Sequence, residues 1–260
     1  MKKYIILYRE SIRIAFAAAS TYRADFILQS VIIILSNILF PLMTWLIYGA
    51  GASFEGWTLY QVLLIQSVFT MSMGVSSMLF TGIVWSTMEH VREGTLEIIL
   101  IKPVDCMGYL LAATFSIENI GVVFGGAVLF GVALFHLPVP NLFLWFQFLF
   151  LFLLGVLVML GINLLMAATS FKWVANSRIP ELYQSVLRFG NYPQKIFSKS
   201  IQAITSFLIP VAMVGFFPAA ALLQKTDSKM YIAVLPCILF AWVGIALYKY
   251  MIRQYEGVGG

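Results

Sequence analysis

The stretch that decides the architecture is EHVREGTLEIILIKPVD, residues Glu89–Asp105, a charged island between two long apolar runs. It is unusual because only 10% of the residues of the chain are charged. Within it, Gly94 breaks the preceding segment, Thr95 is placed to cap the next helix, and Lys102-Pro103 ends that helix. The stretch therefore predicts a short amphipathic helix over 94–100 that lies along the membrane and docks a partner outside the bilayer.

The composition around this island is that of a membrane protein. The chain has 260 residues, is 61% hydrophobic and has a mean hydropathy of +0.93. Soluble domains are about half apolar and about a quarter charged. The fold class predicted is an all-α membrane protein, with residues 26–260 forming one transmembrane domain behind an N-terminal helix.

Six apolar runs are each near the roughly 20 residues that cross a bilayer as a helix. They predict six transmembrane spans at about 26–48, 59–84, 108–135, 143–169, 201–223 and 231–250. Pro210 and Pro218 interrupt the fifth run, and each removes a backbone donor. Because lipid does not satisfy freed backbone groups, we expect a proline-broken or re-entrant element at the outer end of span 5.

The N-terminal segment, residues 1–25, predicts an amphipathic helix at the membrane surface. Tyr4, Tyr8 and Ile12 share one face, whereas Arg9 and Arg13 lie on the other.

The distribution of Lys and Arg predicts the orientation. With the N-terminus inside, fourteen of the sixteen fall on one side, and only Lys225 and Lys229 on the other. The positive-inside rule then places both termini and the loops 85–107 and 170–200 in the cytoplasm. Because topology explains the positive charge, no nucleic-acid partner is expected. The 170–200 loop is open to two interpretations, an interfacial helix on anionic lipid or a protein-docking element.

Few residues suggest chemistry. The two histidines, His90 and His136, fall on opposite sides of this topology, and neither cysteine belongs to a metal-binding motif. The chain has no phosphate-binding loop of the G-x-x-x-x-G-K-[ST] type, so any ATP that drives it must bind another chain. We therefore predict no catalytic residue, no metal site and no cofactor, and interpret the chain as not an enzyme.

Glu118, with Asn119 beside it, is the acidic residue that falls inside a predicted span, about ten residues into the third run. An ionisable group at that depth suggests a transport pathway or a partner, unless the span begins near Ile117 and leaves Glu118 at the interface. Asn37 is a single polar residue in the first run and is most simply an interhelical hydrogen-bonding group.

Several stretches together resemble one family. These are VREGTLEIILIKPVD (Val91–Asp105), FGNYP (189–193), FLIPVA (207–212) and FPAA (217–220), preceded by a basic N-terminal helix that leads to Tyr22-Arg23. The chain resembles the integral-membrane permeases of type-2 ATP-binding-cassette (ABC) exporters, and most closely a six-span bacterial subgroup.

The resemblance implies a subunit of the bacterial plasma membrane that pairs with a second permease, as a homodimer or heterodimer. Separate ATPase subunits would bind ATP and Mg and dock on a coupling helix that maps to Arg92, Glu93, Gly94, Thr95, Leu96, Glu97, Lys102 and Pro103. The N-terminal helix would be a connecting helix, and Pro210 and Pro218 would belong to a re-entrant exit region. A pathway for a hydrophobic or amphipathic cargo would include Asn37, Trp45 and Met73.

Two alternatives stay open. An ion-coupled secondary carrier would use Glu118, and the scarcity of other intramembrane charges argues against it. A membrane-embedded enzyme of lipid metabolism would need a cluster of reactive side chains at the cytoplasmic face. The 85–107 loop has the charges but no nucleophile–base pair.

Overall fold

The computed structural model describes residues 2–173 and 178–255, which are largely helical and contain no β-strand. The predicted all-α fold class is therefore confirmed for this part of the chain. The helices are α1 (Lys2–Thr21), α2 (Arg23–Gly49), α3 (Leu59–Leu79), α4 (Thr81–Glu93), α5 (Leu96–Leu100), α6 (Cys106–Ala113), α7 (Ile120–Phe135), α8 (Leu142–Thr169), α9 (Arg178–Leu187), α10 (Lys199–Ala203), α11 (Phe216–Leu222), α12 (Ser228–Ile232) and α13 (Val234–Arg253).

Five helical stretches of the described chain are long and apolar enough to cross a membrane. They are Arg23–Gly49, Leu59–Glu93, Ile117–Phe135, Leu142–Thr169 and Met230–Arg253. Each overlaps a predicted span, and the predicted span at 201–223 has no counterpart among them. The predicted connecting helix is shorter than residues 1–25, because α2 already begins at Arg23.

The second stretch is longer than a bilayer requires. α3 bends at Phe80, where φ is −127° and ψ is −30°, and continues directly into α4. Its 35 residues extend about 52 Å, whereas a hydrocarbon core is about 30 Å thick. The first third of the predicted 85–107 loop is therefore helix, and it carries α5 away from the centre of the bundle.

The predicted third span, 108–135, is divided into α6 and α7 by an irregular segment at Thr114–Asn119. The segment faces the bend of α3, because the Ser116 amide donates to the Met78 carbonyl oxygen at 3.1 Å. Gly82 allows this approach, since a Cβ there would lie 2.5 Å from the Thr114 carbonyl oxygen. Glu118 consequently stands at the start of the third span and not near its middle.

Residues 199–223 enter and leave the bundle at the same end. Gln202, near the start of this segment, and Lys225, just after its end, line one cavity of about 480 Å³ together with Trp57. The centre of the segment reaches the middle of α3, where the Ser72 hydroxyl donates to the Val214 carbonyl oxygen at 2.8 Å. The predicted span over 201–223 is therefore corrected to a re-entrant pair of short helices, α10 and α11.

The crossing that replaces it is made by residues 178–198. Before it, the Phe171 ring packs on Tyr248, whose hydroxyl lies 3.1 Å from Thr87 of α4, at the end of the bundle where α5 lies (the α5 end). Near the far end of the crossing, the Tyr192 ring packs on Phe54, at the opposite end of the bundle (the Trp57 end). The prediction of a loop over 170–200 on a single side is thus wrong.

Lys195 belongs to the Trp57 end as well. It lines the same cavity as Lys225, and burial, followed by the Lys195 charge, lowers the pKa of the Lys225 ammonium. The prediction that Lys195 lies on the cytoplasmic side with most of the other basic residues is therefore corrected.

The core of the bundle is α3, and its stretch 62–70 is wholly buried. α7 packs closely on α3 at Gly74 and Gly126. α8 and α13 approach each other at Gly161 and Gly244. α2 lies outside this core. Thr44 is its one buried residue, and the hydroxyl accepts a hydrogen bond from Gln66 at 2.7 Å.

The re-entrant arrangement is testable by thiol labelling from one side of sealed vesicles. We expect Lys195→Cys and Asp227→Cys to react with an impermeant maleimide from the same side, and Glu97→Cys from the other, because all three positions are exposed at the stated ends.

The unmodified chain serves as the control, since both native cysteines are buried and burial, followed by the Asp105 charge, raises the pKa of Cys106 to about 11. If Lys195→Cys and Glu97→Cys were instead labelled from the same side, the result would contradict the re-entrant arrangement and support a continuous span at 201–223.

Candidate functional site

The predicted turn at Gly94 is present at the α5 end. Gly94 ends α4 in the left-handed conformation, with φ 68° and ψ 15°. A residue with a Cβ is strained there. Behind it, the Thr95 amide donates to the His90 carbonyl oxygen at 3.0 Å, which closes the turn and fixes the direction of α5.

Thr95 precedes the first residue of α5, as predicted, but its hydroxyl does not cap the helix. The hydroxyl oxygen lies 2.7 Å from Nδ1 of His90 instead. The side chain therefore ties α5 back to the last turn of α4.

α5 has a buried and an exposed face. Leu96 and Ile99 are buried in the core, whereas Ile98 is 60% exposed and Ile101, just after the helix, is 82% exposed. The exposed side of this region is called the docking surface and consists of Arg92, Glu93, Glu97, Ile98, Leu100, Ile101 and Pro103. The sequence does not single out Ile98, Leu100 and Ile101, because the run LEIIL is apolar on both faces and its pattern does not show which side is covered.

Three charged residues of the predicted coupling helix have partners. The Lys102 ammonium donates to the Tyr109 hydroxyl at 2.6 Å, so this side chain turns towards α6 and away from the docking surface. Arg92 and Glu93 form an exposed ion pair at 3.9 Å. Exposed pairs contribute little to stability, so the pair leaves the surface charged without rigidifying it.

α1 is joined to the far side of the same segment. The Asp105 carboxylate accepts from the Gly108 amide at 3.0 Å and caps α6, while the Asp105 amide donates to the Tyr4 hydroxyl at 3.0 Å. The Tyr8 ring packs edge-on against Phe115 at 5.8 Å. α1, the segment after α5 and α6 are thereby one connected unit.

The two arginines predicted for the connecting helix lie in different surroundings. Arg9 lines an apolar groove of about 710 Å³ between α1 and α6. Arg13 is exposed and lies 3.8 Å from Glu10.

The predicted pathway residues do not form one site. Glu118 is exposed and accepts from Ser116 at 3.3 Å, and Asn119 donates to the same hydroxyl at 2.9 Å, so both belong to the irregular segment before α7. Trp45 is exposed near the Trp57 end, and Met73 is partly buried against the core.

Asn37 lines a cavity of about 350 Å³ between α2 and α7. Its amide donates to the Ile33 carbonyl oxygen of its own helix at 2.8 Å, which differs from the interhelical hydrogen bond that we expected.

The two prolines of the re-entrant region have different positions. Pro210 lies in the break between the π-helical turn Ile204–Leu208 and a 3-10 turn. Pro218 lies in the first turn of α11, where an amide has no partner within the helix. The break is therefore at Pro210, and Pro218 is compatible with a continuous helix.

The described residues do not present a constellation for catalysis by metal. Within residues 2–173 and 178–255 there is no group of three or more His, Cys, Asp or Glu that could hold an ion. His136 stacks on Tyr60 at the Trp57 end, with ring centroids 3.9 Å apart, while His90 lies at the α5 end.

The five long apolar helices, the buried core and the re-entrant pair define a multi-pass membrane protein. The family model described as ABC-2 family transporter protein matches residues 27–259, and the chain therefore belongs to this family. Searches of curated proteins and of solved structures gave no match. Family membership makes the chain a membrane transport permease of the kind that associates with ABC ATPase subunits.

The Asp105 cap predicts a stability difference between two acidic residues of the segment. Asp105→Ala removes the acceptor for the Gly108 amide and should destabilise the chain by about 1 kcal/mol. The matched control is Glu97→Ala, an exposed position whose change should stay within about 0.5 kcal/mol. Thermal unfolding in detergent measures both, and equal midpoints would contradict the cap.

Proposed function

We propose that the chain is the permease subunit of an ABC exporter for a hydrophobic or amphipathic substrate, and that separate ATPase subunits dock on the docking surface. The observation that best supports this proposal is that α5 has one buried and one exposed apolar face. Leu96 and Ile99 anchor it in the core, while Ile98, Leu100 and Ile101 are exposed at the end of a helix that is longer than the bilayer is thick. Exposed apolar groups beside polar ones are typical of protein interaction sites.

The connections of α5 support a coupling role. It follows α4 through the Gly94 turn, and α4 continues α3, the buried helix at the centre of the bundle. Packed cores transmit displacement because they are dense and have low compressibility. Movement of a docked ATPase would therefore be passed along α4 to α3, and through Tyr4 to α1.

The proposal also includes a second permease subunit. Apart from the side that packs on α3 and α7, the surface of α2 is exposed, and such a surface suits either lipid or a neighbouring helix. Pairing along α2, with the same chain or a sister chain, would enclose a pathway between the two subunits. We place the α5 end in the cytoplasm of a bacterial cell, because Arg9, Arg13, Arg92 and Lys102 lie there.

ATP and Mg would be bound by the partner ATPases in this scheme. Neither alternative function gains support from a specific observation. The carrier hypothesis relied on Glu118 at membrane depth, and the residue stands at the exposed start of its span.

The docking surface is tested by making its apolar centre polar. Ile98→Ser with Ile101→Ser should weaken ATPase binding at least about tenfold, since burying one such side chain contributes about 1.5–3 kcal/mol. The measurement is binding of the purified ATPase subunits to the permease in nanodiscs, together with the permease-dependent ATP hydrolysis.

The matched control is Val139→Ser, an exposed apolar residue next to His136 and thus at the Trp57 end. ATPase binding that is unchanged in the double variant and in the control would contradict docking at this surface.

A further inference from the structure

The groove between α1 and α6 is lined by apolar side chains and by Arg9. It has a volume of about 710 Å³, which lies within the range of about 300–1,000 Å³ that is usual for small-ligand sites. Ile5 and Ile12 of α1 line one side, and Leu111 of α6 lines the other. Among the lining residues that the structure describes, Arg9 is the charged one. The groove therefore suits a molecule that is mostly apolar and carries a negative group.

Fixed contacts keep α1 and α6 apart around this groove. Before α6, the Tyr4 hydroxyl accepts from the Asp105 amide at 3.0 Å. The Tyr4 ring lies against α6 where Gly108 leaves room, since a Cβ there would lie 2.7 Å from the ring. After α6, the Phe115 ring packs edge-on against Tyr8, with 5.8 Å between the centroids. Because these contacts attach α1 to the segments before and after α6, the space between the two helices is built into the fold.

The groove lies at the boundary between hydrocarbon and water. α3 begins at Leu59, close to Trp57, and its 21 residues to Leu79 extend about 31 Å, which is the thickness of a hydrocarbon core. Leu79 and Phe80, where α3 bends, line the groove. Two tyrosines line it as well, and this residue type is enriched at membrane interfaces. The groove is therefore at the level of the lipid headgroups at the α5 end.

The charge of Arg9 is not paired within the described chain. Neither of the two ion pairs found among residues 2–173 and 178–255 includes it. The Asp105 carboxylate accepts from the Gly108 amide at 3.0 Å and does not line the groove. A guanidinium keeps its proton in proteins and can hold a phosphate through two parallel hydrogen bonds. Arg9 is therefore suited to a phosphate at the rim of the groove.

We propose that the groove binds an anionic phospholipid of the leaflet at the α5 end, with an acyl chain between α1 and α6 and the phosphate on Arg9. Such a lipid has an apolar chain and a negative charge at the depths where the groove is apolar and positive. Basic residues near a membrane surface favour anionic headgroups. The site is separate from the docking surface, and it adds a lipid ligand to the proposed permease.

Native mass spectrometry of the purified chain in detergent measures its affinity for single lipid molecules. Phosphatidylglycerol is compared with phosphatidylcholine that has the same acyl chains, so that the two lipids differ in the headgroup alone. The unmodified chain should bind the first phosphatidylglycerol at least about fivefold more tightly, because one basic residue near the membrane surface contributes about this factor. Equal affinities for the two lipids would overturn the proposal.

The headgroup contact is tested at Arg9. Arg9→Gln should remove the preference for phosphatidylglycerol, whereas Arg9→Lys keeps the charge and should retain most of it. The matched control is Arg13→Gln, one turn further along α1, because Arg13 is exposed, lies 3.8 Å from Glu10 and does not line the groove. This control should keep the full preference. Equal affinities of Arg9→Gln and Arg13→Gln for phosphatidylglycerol would contradict a phosphate contact at Arg9.

The acyl chain contact is tested on the same helix. Ile5 lines the groove and is 66% exposed, whereas Ile14 is 67% exposed and lies outside it. Ile5→Ser should weaken the binding of both lipids about tenfold, because it removes an apolar contact with the chain that they share. Ile14→Ser should change neither affinity. Equal effects of the two variants would mean that any exposed apolar residue of α1 suffices, and would overturn a defined acyl site.

Two other occupants of the groove give different results. If Arg9→Gln loses phosphatidylglycerol only together with a change in the number of chain copies, the groove is a contact between copies. If purified ATPase subunits displace the bound lipid, the groove belongs to the ATPase contact. Either result would overturn the lipid proposal, whereas lipid that stays bound beside the ATPase supports it. Because the affinities are measured without ATPase, they are independent of docking at α5.

Discussion

The structure depends on one constraint, which is that backbone groups at membrane depth must find hydrogen-bond partners inside the protein. Within residues 2–173 and 178–255, α3 supplies such partners to two irregular segments, one at the start of the third long apolar helix and one inside the re-entrant pair. At the bend of α3, the Met78 carbonyl oxygen accepts from the Ser116 amide, which stabilises the irregular segment before α7. Halfway along, Ser72 donates to the Val214 carbonyl oxygen in the break of the re-entrant pair. Gly155 of α8 closes the other side, since a Cβ there would lie 2.5 Å from the Met213 carbonyl oxygen.

This arrangement explains why one helix would link both ends of the molecule. α3 is buried, holds the two irregular segments and continues through α4 to the Gly94 turn. The α5 end is further braced by Tyr4 of α1 and the Asp105 cap of α6. In the proposed exporter, a displacement at the docking surface would therefore reach the re-entrant pair through a single packed element, without a separate relay of side chains.

The sequence predicted those features whose signals are local. The Gly94 turn, α5 and the five long helices follow from glycine, proline and apolar run length. The fifth crossing was missed because hydropathy does not separate burial in protein from exposure to lipid. Residues 201–223 are apolar since α11 is buried in the bundle, whereas the true crossing contains Glu181 and Arg188 and was interpreted as a loop. The start of the third span was missed for a related reason, because the contact between Ser116 and Met78 is tertiary and leaves no signal in either segment alone.

In the proposed exporter, this permease works only with separate ATPase subunits. The most direct measurement is purification of the chain from its native membrane in mild detergent, with its partners identified by mass and assayed for ATP hydrolysis. We predict recovery of a soluble ATPase that hydrolyses ATP, at one copy per permease. Recovery of the chain alone, with transport intact after ATP depletion, would contradict it.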